Sequence, residues 1–79
     1  MNSRSAFRYP TMREATVVLV DGTKIKCTVR DISTKGARLE LAEPQKLPEQ
    51  FHLFIHGQSD RFRCYCVWQK NTMAGVQYV

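Results

Sequence analysis

What this sequence has little of narrows its class first. Its longest uninterrupted aliphatic run is Val17-Val18-Leu19-Val20, far short of the ~20 apolar residues that a helix needs to cross a bilayer. The first residues carry charge but no apolar stretch of the secretory kind, so no signal peptide is expected. Cysteine is scarce and odd in number, since Cys27, Cys64 and Cys66 cannot all pair within one chain. That favours a reducing cytoplasm over a secreted disulfide scaffold. No glycine-rich loop opens a helical stretch, no nucleophile stands with a base, and no metal set is evident, so the chain reads as non-enzymatic. Repeats and low-complexity segments are also missing.

What is present suits one small domain. Its 79 residues are 43% hydrophobic and 24% charged, ordinary for a globular chain. A domain of this size buries only about 60% of its unfolded surface, so the core must come from one compact sheet arrangement. The net charge of +5 points to an anionic partner: a nucleotide, a nucleic acid or an anionic lipid. Arg4, Arg8 and Arg13 concentrate that charge near the start.

Alternation of apolar and polar residues predicts strands over 14–20, 24–30, 37–41, 51–56, 61–70 and 74–79. Asp21-Gly22 is a hairpin turn, 42–50 a proline-bearing loop, and 57–60 and 71–73 further turns. Ile25, Cys27 and Val29 should face inward, as should Ala37, Leu39 and Leu41, and then Phe62, Cys64, Cys66 and Trp68. No convincing helix interrupts the pattern. The expected fold is all-β, a small six-stranded antiparallel β-barrel (14–79) preceded by a flexible N-terminal arm (1–13).

The corner Asp31-Ile32-Ser33-Thr34-Lys35-Gly36 is longer than a hairpin requires, and it carries a carboxylate and a hydroxyl two residues apart. In an extended run such residues share a side, where they could hold a ligand edge offering both donors and acceptors. Gly36 there permits φ > 0 or a close approach. Upstream, Arg4 and Arg8 are four apart in Arg4-Ser5-Ala6-Phe7-Arg8. Arg-x-x-x-Arg, then a strand pair, then Asp-x-Ser-x-x-Gly resembles the signature of the PilZ domain, a family of small β-barrels that bind the bacterial second messenger cyclic di-GMP. The likeness continues through Gly36-Ala37-Arg38-Leu39 to Cys66-Val67-Trp68-Gln69 and Gly75-Val76-Gln77-Tyr78.

The resemblance implies that Arg4 and Arg8 grip phosphate and guanine from the arm, while Asp31 and Ser33 receive guanine on the barrel and Gly36 allows close approach. A guanidinium fork meets the guanine O6 and N7 acceptors bidentately and also suits phosphate, which an ammonium does less well. The ligand would be cyclic di-GMP, with no further cofactor and no metal, and the signal would pass to an unknown downstream protein without membrane insertion. The arm should be loose when free and close over the ligand.

Two rival readings accompany this one. Arg61, Arg63 and Tyr65 form an outward basic–aromatic face compatible with single-stranded nucleic acid, although a solvated barrel wall is the preferred account. A PilZ-like adaptor that binds no nucleotide is the other. Cys64-x-Cys66 with His52 and His56 invites a zinc reading, but that spacing is shorter than the usual clip and alternation turns both sulfurs inward.

Overall fold

The computed structural model describes residues 9–79. Six strands succeed one another: β1 (Tyr9–Val18), β2 (Lys24–Ile32), β3 (Gly36–Leu41), β4 (Gln50–Ile55), β5 (Arg61–Lys70) and β6 (Met73–Tyr78). All pairings are antiparallel, and the strands close in the order β1-β2-β3-β6-β5-β4. The expected six-stranded antiparallel barrel is therefore the observed one, with no helix among the described residues.

The closure has a simple logic. The chain runs β1 to β3 as consecutive neighbours, then crosses through residues 42–49 to lay β4 against the free side of β1. β5 and β6 return to meet β3. Closing the sheet removes the exposed edges that an open sheet of this size would present. The crossing loop also contributes to the core, because Leu47 turns inward to 5% exposure and its N–H donates to Gln69 Oε1 at 3.0 Å.

Alternating residues fill the interior. Val17, Val29, Leu39, Leu53, Ile55 and Cys64 are essentially inaccessible, and Ile25, Leu41, Phe51 and Val76 surround them. Gly22 closes the first hairpin with φ of 92°, a conformation that glycine adopts without a Cβ penalty. Beside it Asp21 accepts the Thr23 N–H at 2.9 Å, which holds its carboxyl below the ordinary range.

Two expectations need correction. β1 starts at Tyr9, so residues 9–13, expected to belong to the arm, are strand. Proline is tolerated there because the β1–β4 ladder runs only over Ala15–Val18, which leaves Pro10 paired on one side alone. The rest of the expected arm, including Arg4 and Arg8, lies outside the described residues.

The second correction concerns β5. A register shift between Cys66 and Trp68 breaks the alternation, because an extra residue in one strand reverses the facing of the residues beyond it. Cys64 is fully buried and Cys66 half-buried, whereas Trp68 is 44% exposed on the outer surface.

Candidate functional site

The β2–β3 corner is held by its own residues. The Ser33 N–H donates to the Gly36 carbonyl at 2.8 Å, and the Ser33 hydroxyl accepts the amides of Lys35 and Gly36 at 3.3 Å each. The hydroxyl also lies 3.3 Å from the Gly36 carbonyl, to which it can donate. From outside the corner, the Tyr78 N–H donates to the Lys35 carbonyl at 2.9 Å, pinning the turn to the end of β6. Ser33 is thus the staple of the corner as well as a group on its surface.

Gly36 is required for a different reason from the one its turn position suggests. Its φ is not positive. A Cβ on Gly36 would stand 1.9 Å from the Val76 carbonyl oxygen, so the close approach is to the β6 backbone. Only a residue without a side chain lets β3 and β6 pair there.

Asp31 sits where two ladders slip. The β1–β2 register shifts between Pro10 and Arg13, and the β2–β3 register shifts between Val29 and Asp31. Bulges in adjacent ladders re-aim side chains and open the surface. Here they leave a cleft of about 320 Å³ lined by Pro10, Thr11, Met12, Arg30, Asp31 and Arg38. Asp31 is the one buried charged residue among those described, and its Oδ2 pairs with Arg38 Nη2 at 2.7 Å. The exposed guanidinium of Arg30 is taken by Glu40 across the ladder.

The same register carries the site across the sheet. Pro10, Asp31, Arg38, Gly75 and Trp68 are successive partners on β1, β2, β3, β6 and β5. A Cβ on Gly75 would lie 2.2 Å from the Trp68 indole nitrogen. The indole therefore lies over the bare Gly75 backbone, on the position between Trp68 and Arg38. The neighbouring row is Gly36, Gln77 and Tyr65, where the Tyr65 hydroxyl bonds Gln77 Oε1. An aromatic face, a guanidinium and the stapled corner thus share one outer surface.

Of the residues expected to bind, Asp31, Ser33 and Gly36 are brought together at one end of the barrel, and the described chain begins beside them, with Tyr9 opposite Ile32. Arg38 and Trp68 were not among them. Arg38 resembles an ordinary outward charge in the sequence, and alternation points Trp68 inward until the bulge breaks it. The Cys–His combination does not assemble: no group of three or more His, Cys, Asp or Glu is placed to hold a metal among the described residues.

Burial pushes the thiols up, Cys27 to about 12 and Cys64 to about 11. Tyr78 stacks on Phe62 at 5.2 Å between centroids, and its hydroxyl is buried without a hydrogen-bond partner. Its phenol is held above the usual tyrosine range by burial, with a smaller contribution from Cys64.

The class of fold is a small closed antiparallel β-barrel of six strands, with an acid–serine–glycine corner at one end. The sequence matches the PilZ domain family over residues 2–79, and the chain belongs to that family. PilZ domains are receptor domains known for binding cyclic di-GMP. No curated protein matches the chain.

Proposed function

We propose that this chain is a non-enzymatic cyclic di-GMP receptor that passes the signal to a partner protein. The observation that carries the reading is the row in which Asp31 holds Arg38, with Trp68 laid over Gly75 beside it. A guanine offers O6 and N7 to a guanidinium fork and a π-face to an indole. Arg38 and Trp68 supply those two groups on one surface. Asp31 fixes the direction of the Arg38 fork, and Ser33 with Gly36 hold the corner in shape. Arg4 and Arg8, which precede Tyr9 in the chain, supply further guanidinium groups for phosphate and the second guanine.

Thermal melting with cyclic di-GMP, beside GMP as control, tests this. A ligand that binds only the folded state adds about 2.7 kcal/mol at a hundredfold excess over Kd. A melting curve unmoved by saturating cyclic di-GMP refutes the receptor reading.

A further inference from the structure

Away from that surface, two rows of outward residues cross four strands. Lys24, Val18, His52 and Arg63 are successive partners on β2, β1, β4 and β5, and so are Lys26, Thr16, Phe54 and Arg61. Directly opposed residues in antiparallel strands share a face, and the exposure of the two lysines and two arginines confirms that this face is outward. The rows hold four cations and no carboxylate. The ion pairs Arg30–Glu40 and Arg38–Asp31 use none of the four. The nearest carboxylates among the described residues stand at the borders of these rows: Asp21 in the hairpin, Asp60 before β5, and Glu14 with Glu40, the latter held by Arg30, in the row adjoining Thr16 and Lys26.

The wall also has an apolar dent. Val18, Val20, Gln50, Phe51, His52 and Arg63 line a hollow of about 270 Å³, and Val20 is fully exposed at its lip. Along a strand, outward positions recur every ~6.8 Å, which is also the spacing of alternate side chains in any extended peptide. Lys24 with Lys26, and Arg61 with Arg63, therefore repeat at the spacing of carboxylates that alternate along an extended acidic segment. The dent has room for a single apolar side chain of such a segment.

The geometry points to a docking surface for an extended acidic segment of a partner protein, anchored by one apolar residue. Its charge pattern chooses this occupant over single-stranded nucleic acid, which needs free aromatic faces for its bases. In these rows the one aromatic six-membered ring is Phe54, half-buried and covered by Arg61, whose guanidinium carbon lies 5.9 Å from its centroid. The exposed ring next along, Tyr65 opposite Gln50, is a single face tied by its hydroxyl to Gln77. The surface gives the relay in the proposed function a place, and it rests on that reading only for its signalling role. β5 links the two, carrying Arg61 and Arg63 at one end and Tyr65 and Trp68 at the other.

The test uses the full chain and a short synthetic peptide in which Glu alternates with Ser around one central Leu. An oligothymidylate and cyclic di-GMP are titrated separately. Amide shifts on peptide addition should cluster at Lys24, Val18, His52 and Arg63, and the affinity should fall as salt rises. The double substitution Lys24→Ala, Arg63→Ala should weaken the peptide roughly tenfold or more and leave cyclic di-GMP affinity unchanged; tenfold corresponds to ~1.4 kcal/mol. Peptide shifts centred on Arg38 and Trp68, no shifts, or tighter oligothymidylate binding at the wall overturns the assignment. Peptide docking at the wall without any dinucleotide binding supports this surface and refutes the receptor reading alone.

Discussion

Asp31 and Arg38 stand opposite each other on β2 and β3, joined at 2.7 Å, with the carboxylate side chain 8% exposed and the guanidinium 49%. The pair is therefore half in water. A fully exposed pair is worth ~0–1 kcal/mol, and breaking a fully buried one costs ~3–5. Arg38→Ala should fall between, at about 1–3 kcal/mol of unfolding free energy by urea titration. It should also remove most dinucleotide affinity, whereas Arg38→Lys should restore stability better than affinity because the fork is lost. Equal recovery of both by lysine would show that Arg38 contributes charge alone.

The two close-approach glycines should respond differently. At Gly36 the obstacle to a Cβ is the Val76 backbone, while at Gly75 it is the Trp68 indole, a side chain able to swing away. Gly36→Ala should cost ~3 kcal/mol or more, at the upper end of overpacking. Gly75→Ala should cost less but shift the fluorescence of the single tryptophan and weaken the dinucleotide. Comparable melting losses with unchanged fluorescence would contradict the placement of the indole.

Much of the fold is legible in the sequence. The six strands emerge from alternation, and the hairpin from Asp21-Gly22. The features that escape depend on register. Asp31 meets Arg38 only because the corner from Ser33 to Gly36 sets the pairing and a bulge shifts it by one residue. Trp68 faces out for a similar reason, and alternation alone cannot reveal an extra residue. Gly36 stands out as special in its corner, but the cause is a β3–β6 contact between strands distant in sequence. Pro10 conceals the start of β1, since its one-sided pairing is visible only once the barrel closes.

Tyr78→Phe should stabilise the domain. The hydroxyl is buried without a partner, and such a group costs ~1–3 kcal/mol. A gain of about 1 kcal/mol would raise the melting temperature by ~4–8 °C in a domain of this size. A lower melting temperature would mean that the hydroxyl is satisfied in solution.

The thiols predict alkaline sensitivity. With Cys27 raised to about 12 and Cys64 to about 11 from 9.0, the folded state holds protons that the unfolded state releases. Their stabilisation is complete below about pH 9 and declines as pH rises towards the folded values, by at most ~1.4 kcal/mol per pH unit for each thiol. Cys27→Ala should flatten this decline in urea titrations above about pH 9, and native Cys27 should resist alkylation at neutral pH. An unchanged slope in that variant would show that the thiol is not the titrating group.

The central claim is that the surface carrying the Ser33–Gly36 corner, Arg38 and Trp68 receives cyclic di-GMP, and amide-resolved NMR titration tests it most directly. The account predicts that the Trp68 indole N–H and the backbone amides of Arg38, Gly36 and Gly75 shift together and saturate with one affinity. The amides of Lys24, His52 and Arg63 should stay in place. Shifts confined to that basic wall, or a spectrum unchanged at saturating ligand, would contradict it.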